Sequence, residues 1–412
     1  MLYYGLLLIF ILEYVRPVKF ISFLYPLHLN SVVPVFVSLL SLNNSKSIKN
    51  IDLLKLSSTI TIIVFLILIG VGILWVDVKH YVFWKFIQVF GWFLVYLAII
   101  KNADEQKKIE GIFIVLILCH LVLLILTPDV IFNPEVRSYI LQESFLGDGN
   151  DFALSLNIVI PFCIYLCFGS KSKPKKLLLL LLTILLILAV VGTSSRGGTL
   201  ALAAVIFYQW LKGRKKLLGL AGIAILFIVM LLFAPALYLE RMGTIRNYET
   251  EGSAQGRIMA WKSAIQMAGD NPLTGVGAGH FSVKYGIEYR PPGVGRTDIP
   301  WANAHSLYFL VLGELGIPGL LVYLWLIILN LLKNEKIIRS LTPENASDSR
   351  LMDRRLFVCL NSSMIGFAVG GAFLSATYYP HVFILAGVME AGRHVYRRRQ
   401  ESDAIVPSLA IP

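Results

Sequence analysis

The stretch LLLLLLTILLILAVVG, residues 177–192, decides the fold class of this chain. It contains no charged side chain, and it is preceded by Lys171, Lys173, Lys175 and Lys176. An α-helix needs roughly 20 predominantly apolar residues to cross about 30 Å of hydrocarbon, where it satisfies its own backbone hydrogen bonds. The stretch therefore predicts a membrane-spanning helix.

The rest of the 412 residues has the same apolar character. Hydrophobic residues make up 57% of the chain and charged residues only 15%, and the mean hydropathy is +0.72. Such a composition excludes a soluble globular protein. We predict an all-α, polytopic transmembrane bundle of about 12 spans, near residues 2–13, 20–42, 59–76, 81–100, 109–128, 152–169, 177–192, 199–211, 217–238, 304–332, 356–376 and 380–392.

The placement of basic residues orients these spans. If the amino terminus is cytoplasmic, about two thirds of the lysines and arginines lie in cytoplasmic segments, as the positive-inside rule expects. Both termini are therefore predicted to be cytoplasmic. The net charge of +12 then reflects this bias and an attraction to anionic headgroups, and it does not indicate a nucleic-acid partner.

Three regions follow from this topology. Residues 1–144 are predicted to form the N-terminal transmembrane helices. Residues 145–332 form a core that includes one large extracytoplasmic loop, residues 239–303. Residues 333–412 form a cytoplasmic linker, the last two transmembrane helices and a basic tail.

The large loop contains a short amphipathic helix. Ile258, Trp261, Ile265 and Ala268 recur at helical spacing, which predicts a helix over residues 256–268 with one apolar face. A tryptophan on such a helix is well suited to the membrane interface. The glycine-rich run that follows, NPLTGVGAG, lacks the spacing of a dinucleotide-binding loop, and we interpret it as a flexible connection.

Arg196 lies in the run GTSSRGG, residues 192–198, at the predicted outer ends of two spans. Its guanidinium group is suited to bidentate capture of phosphate oxygens, and the flanking glycines allow a ligand to approach the backbone. An equally good interpretation is an interfacial arginine whose charge reaches water beside a turn. Arg257, one helical turn before Trp261, is either a second phosphate ligand or a surface charge.

His305 lies where the large loop enters a hydrophobic span, directly after WANA, residues 301–304. Solvent and substrate can reach this position, and a neutral imidazole can accept a proton as a general base. A structural histidine is the alternative. His280, in the same loop, and His381 are the other outward-facing candidates.

Taken in order, these motifs resemble the O-antigen ligase and polymerase superfamily. They are Ser195-Arg196-Gly197, then Gly256-Arg257 with Trp261, then His305-Ser306 followed nine residues later by Gly316-x-x-Gly319. The resemblance covers about residues 145–330. It implies a bacterial inner-membrane protein whose site lies on the extracytoplasmic face.

The resemblance also implies an activity and roles for residues. The activity is a metal-independent, inverting transfer of a glycan from an undecaprenyl pyrophosphate carrier to a hydroxyl of a glycan, lipid or protein acceptor, with no cofactor. Arg196 and Arg257 would bind the pyrophosphate, and His305 would be the general base. The possible auxiliary residues are Arg241, Arg246, Trp261, Ser306, Asp148 and Asp151.

Asp148 and Asp151 have two further interpretations. A pair of carboxylates can bind a divalent ion, but a cap for the sixth span is the better reading of their position.

Two other functions remain open at this stage. A polymerase of the same superfamily would use the same donor and a second lipid-linked glycan as acceptor. A transporter of bicarbonate or a glycan would need charged residues along a path through the membrane, and the predicted spans contain few apart from Lys85 and Glu314.

Overall fold

The computed structural model describes residues 1–43, 52–132, 144–233, 238, 252–290, 302–341 and 348–408. These residues form helices, turns and loops, and they contain no β-strand. The longer helices are α1 (Leu2–Tyr14), α2 (Leu29–Asn43), α3 (Ser57–Val71), α4 (Lys79–Asn102), α5 (Gln106–Leu126), α6 (Gly149–Gly169), α7 (Lys173–Gly192), α8 (Arg196–Lys212), α9 (Lys216–Phe233), α10 (Gly252–Asp270), α11 (Leu307–Ser340), α12 (Asp348–Gly371) and α13 (Pro380–Ser408).

Seven helices within the described residues are long and apolar enough to cross a membrane. They are Phe23–Asn43, Ser57–Leu74, Lys79–Asn102, Gln106–Leu126, Gly149–Gly169, Lys173–Gly192 and Leu307–Ser340. The prediction of an all-α membrane protein is therefore confirmed.

The prediction of about 12 spans is not confirmed, because seven helices among the described residues qualify as candidate spans by length and composition. α1 has 13 residues and α8 has 17. α12 and α13 are long, but they carry polar groups that the bundle buries. Arg393 of α13, for example, is 2% exposed and forms an ion pair with Glu390 at 2.9 Å.

The run of leucines on α7 behaves as a lipid-facing surface. Leu177, Leu178, Leu180 and Leu181 are 50–57% exposed, whereas Leu179 is 7% exposed. A large exposed apolar face on a long helix is expected where lipid, and not water, surrounds the protein.

The centre of the bundle is formed by α6, α8 and α12, which pack against one another. Small residues allow this close approach. A Cβ atom on Gly198 of α8 would lie 2.5 Å from Cβ of Ala153 on α6, and one on Gly366 of α12 would lie 2.8 Å from a methyl group of Val205. α11 packs on α12 and α3, and α13 packs on α4.

The amphipathic helix of the large loop is present as α10, and small residues form most of its buried face. Ala260, Ala264, Met267 and Ala268 are buried, while Ile265 is 55% exposed. α10 packs along α11, and the small alanines let the two helices approach closely. Of the predicted apolar face, Ala268 is buried and Ile265 is exposed.

Candidate active site

His305 immediately precedes α11 and has an unusual backbone conformation. Its side chain is exposed, and its φ angle of +46° lies in the left-handed region. The loop between α12 and α13, residues 372–379, binds the chain at this point. The backbone N–H of His305 donates to Oγ of Ser375 at 3.0 Å, and Oγ1 of Thr377 donates to the carbonyl of Leu307 at 3.0 Å.

Trp261 holds the other side of the same segment. Its indole N–H donates to the carbonyl of Ala304 at 2.9 Å, and its ring stacks on Phe309 with centroids 5.0 Å apart. α10 therefore contacts the chain both before and after His305. Arg257, which is half-buried, lies one helical turn before Trp261 on α10, so this contact also brings Arg257 towards the His305 segment.

Arg196 is the first residue of α8. Ser195 caps this helix, because its Oγ accepts the N–H of Gly198 at 3.1 Å. The next residue, Gly197, packs on loop 372–379, and a Cβ atom there would lie 2.9 Å from Cβ of Phe373. The loop that binds His305 therefore also packs beside Arg196. The N-terminal end of α8 adds a partial positive charge, which favours an anion.

Strained backbone occurs at His305 and close to Arg196. The non-glycine residues with positive φ among the described residues are Arg16, His28, Ser194 and His305. Ser194 lies two residues before Arg196. Such conformations persist only where the surrounding structure imposes them, and they are enriched at functional sites.

Asp148 and Asp151 lie at the same end of the bundle. The Asp148 carboxylate caps α6 by accepting the N–H groups of Asn150 at 2.8 Å and Asp151 at 3.1 Å. Asp151 accepts the hydroxyl of Tyr379 at 3.0 Å. The predicted cap is therefore confirmed. Within the described residues, no group of three or more His, Cys, Asp or Glu side chains is arranged to hold a metal ion.

The remaining auxiliary residues differ in what the structure describes. Ser306 occupies the N-cap position of α11, but its side chain makes no capping hydrogen bond and is 1% exposed. Arg241 and Arg246 lie outside the described residues.

The other candidate histidines are buried. His280 is 1% exposed, and His381 is 1% exposed. Burial lowers the pKa of His280. The Nε2 atom of His381 lies 3.0 Å from Oγ of Ser155, inside the bundle. Neither ring is open to a substrate as His305 is.

The glycine-rich run after α10 docks on a kink of α11. Gly316 interrupts α11 with φ +65° and ψ −164°, a conformation that is essentially restricted to glycine. The N–H of Ile317 donates to the carbonyl of Pro272, and the N–H of Gly277 donates to the carbonyl of Glu314, both at 2.9 Å. A Cβ atom on Gly275 would lie 2.4 Å from the carbonyl carbon of Glu314. The interpretation of this run as a flexible connection was wrong.

Glu314 is part of this docking. Its carboxylate is 2% exposed and accepts the N–H of Phe281 at 3.1 Å and the hydroxyl of Tyr378 at 2.5 Å. The Lys85 ammonium lies 5.2 Å from the centre of the Tyr378 ring. Lys85 and Glu314, the two charged residues of the predicted spans on which a transport function would depend, therefore both lie next to Tyr378. Glu314 binds the loop that carries Tyr378.

Part of the chain matches a model of a known protein family. Residues 181–324 match the model described as O-antigen ligase. The match begins within α7 and ends within α11, so it includes Arg196, Arg257, Trp261 and His305. This part of the chain is similar to the O-antigen ligases. The resemblance drawn from the motifs is confirmed, and the match supports membrane glycan processing of the ligase and polymerase type. A comparison with the curated proteins found no match.

The matched region does not include every residue around His305. Ser375, Thr377 and Tyr379 lie beyond its matched end, and sequence reasoning did not single them out. Their serine, threonine and tyrosine hydroxyls are common in loops, and only the packing of α12 and α13 brings them to His305 and Asp151. The doublet Tyr378-Tyr379 before Pro380 was the one visible signal.

Proposed function

We propose that this chain is a glycosyltransferase that moves a glycan from an undecaprenyl pyrophosphate carrier to an acceptor hydroxyl. The observation that supports the proposal is that one set of contacts joins the segments that carry His305, Arg196 and Arg257. Loop 372–379 binds the backbone of His305 and packs beside Arg196. Trp261 links the His305 segment to the helix that carries Arg257.

The chemistry follows from these side chains. The acceptor oxygen attacks the anomeric carbon, its proton passes to the neutral imidazole of His305, and the bond from that carbon to the pyrophosphate oxygen breaks with inversion. The leaving pyrophosphate keeps the electron pair, and Arg196 and Arg257 stabilise its growing negative charge. The carrier bond is already activated, so the reaction needs no nucleotide, and the two guanidinium groups stabilise the leaving pyrophosphate in place of a metal ion.

The proposed setting is the outer face of the bacterial inner membrane, with both termini in the cytoplasm. The donor lipid would reach the site from the outer leaflet, and the acceptor would be a glycan, a lipid or a protein. Arg241 and Arg246 are proposed as auxiliary phosphate contacts because they belong to the same large loop.

The decisive test is the His305→Asn variant, assayed as purified protein with a lipid-linked donor and an acceptor hydroxyl. Asparagine adopts the left-handed conformation more readily than alanine, so this change removes the base and retains the local fold. We expect a loss of about 10²–10⁴ in rate, the usual contribution of a general base.

The matched control is His80→Asn, because His80 is an exposed histidine at the start of α4. It should retain normal transfer. Near-normal transfer by His305→Asn would contradict the mechanism, and strict sensitivity to a chelator would contradict its independence of metal.

The family match includes polymerases as well as ligases, and the two can be separated in cells. Deletion of a ligase should leave lipid-linked polymer on the carrier, since chain growth continues without transfer. Deletion of a polymerase should leave single repeat units. Analysis of the carrier-linked glycans by mass spectrometry distinguishes these outcomes, and single repeat units would assign the chain to the polymerases.

A further inference from the structure

Loop 372–379 contacts four different parts of the candidate site. Phe373 packs on Gly197 beside Arg196, and the Oγ atom of Ser375 accepts the backbone N–H of His305. Tyr378 donates to Glu314 on α11, and Tyr379 donates to Asp151 on α6. Both ends of the loop continue into long helices, α12 and α13. These contacts hold the loop in one position relative to His305.

Three hydrogen bonds with side chains hold the backbone around His305. Ala304 accepts from Trp261, His305 donates to Ser375, and Leu307 accepts from Thr377. Of these three contacts, only the one from Ser375 is made to the residue with the left-handed φ angle. A left-handed conformation is uncommon for a residue with a Cβ atom, and this bond favours it.

We propose that Ser375 is a positioning residue for His305, and that loop 372–379 completes the active site although it lies outside the matched O-antigen ligase domain. The inference rests on the proposed function, in which His305 is the general base. The hydroxyl of Ser375 fixes the backbone of His305, and the exposed imidazole is thereby directed in one orientation towards the acceptor. Precise orientation of a catalytic group contributes strongly to rate, because a shift of about 1 Å can cost about 10²-fold.

The test compares Ser375→Ala and Ser375→Thr in the purified transfer assay. Ser375→Ala removes the hydroxyl oxygen that accepts the backbone N–H of His305. We expect kcat to fall by about 10- to 100-fold. The KM for the lipid-linked donor should stay within about twofold, since the pyrophosphate contacts are unaffected. Ser375→Thr retains the oxygen and should retain most of the activity. Ser340→Ala, which removes an exposed hydroxyl at the far end of α11, is the control and should be unchanged.

A double variant separates positioning from a general structural role. If Ser375 acts through His305, adding Ser375→Ala to His305→Asn should cause no further loss, because the group that it orients is already absent. Losses that multiply in the double variant would overturn the proposal, as would a Ser375→Thr variant as weak as Ser375→Ala.

The same variants distinguish this proposal from the proposed function. Full activity of Ser375→Ala, together with an inactive His305→Asn, would overturn only the role of Ser375. Normal activity of His305→Asn would overturn the general-base function itself, and with it the reason for a positioning residue.

Discussion

Two residues at the proposed site have backbone conformations that the chain does not adopt readily by itself. His305 and Ser194 have φ angles of +46° and +52°, and each such residue costs on the order of 1–3 kcal/mol. The hydrogen bond from His305 to Ser375 shows how neighbouring segments impose one of them. This rigidity is useful for catalysis, because a base that is already oriented does not have to be ordered in the transition state.

At the same scale, Arg196 and Arg257 should not tolerate replacement by lysine. Arg196→Lys and Arg257→Lys keep the charge but lose the two-pronged contact with phosphate oxygens. We expect each change to lower kcat/KM for the lipid-linked donor by about 10- to 100-fold, equivalent to about 1.5–3 kcal/mol for a hydrogen bond to a charged group. Initial rates measured over a range of donor concentrations test this expectation.

The control for these variants is Arg397→Lys, in the exposed basic segment at the end of α13. It should leave donor kinetics unchanged. If Arg196→Lys and Arg257→Lys both retain full activity, the arginines serve only as interfacial or surface charges.

At the scale of elements, the kink of α11 joins the large loop to the bundle. Gly316 bends the helix, and the run that contains Gly275 and Gly277 forms hydrogen bonds with the backbone of α11 at the bend. α10 lies directly before this run and carries Trp261 and Arg257. The two glycine motifs, which look unrelated in the sequence, therefore form one joint that positions α10 against the start of α11.

Gly316→Ala should break this joint. A Cβ atom at Gly316 would lie 2.5 Å from the carbonyl oxygen of Pro272, on a backbone with positive φ. We expect the strain to cost about 1–3 kcal/mol and to lower the melting temperature in detergent by about 2–10 °C. Transfer activity should fall as well, since α10 loses its support.

Gly269→Ala is the matched change, because a Cβ atom at Gly269 on α10 meets nothing within 4 Å. Alanine favours a helix over glycine, so this variant should be neutral or slightly stabilised. Equal melting temperatures for Gly316→Ala and Gly269→Ala would show that the joint does not contribute to stability.

At the scale of the whole molecule, the basic residues predict which face is cytoplasmic. In a background without the four native cysteines, which are all buried, Gly293→Cys should react with an impermeant thiol reagent in intact cells. Asn345→Cys should not, because its segment is predicted to be cytoplasmic. Both positions lie outside the described residues.

Labelling of Asn345→Cys alone would invert the topology. The proposed site would then lie on the cytoplasmic face, and an outer-leaflet donor could not reach it. The arrangement of spans would also have to be reassigned.

By itself, the sequence determined the class of the protein, its helical composition and its resemblance to the O-antigen ligases. Hydrophobic runs such as residues 177–192 report helices directly, because lipid accepts only chains that satisfy their own backbone hydrogen bonds. The motifs around Arg196, Arg257 and His305 are local in the chain, so they were recognisable without coordinates. The cap formed by Asp148 was also predicted, because a cap and its helix are neighbours in sequence.

Only the tertiary structure decided how these motifs combine. Ser375 reaches His305, Tyr379 reaches Asp151, and the glycine run docks at Gly316, all through contacts between residues far apart in the chain. The buried face of α10 also depended on its neighbour, because the small side chains of Ala260 and Ala264 are buried on a helix that packs along α11. Local sequence records the propensity of each segment, but the partner of a hydroxyl or a bent backbone is set by the packing of other helices.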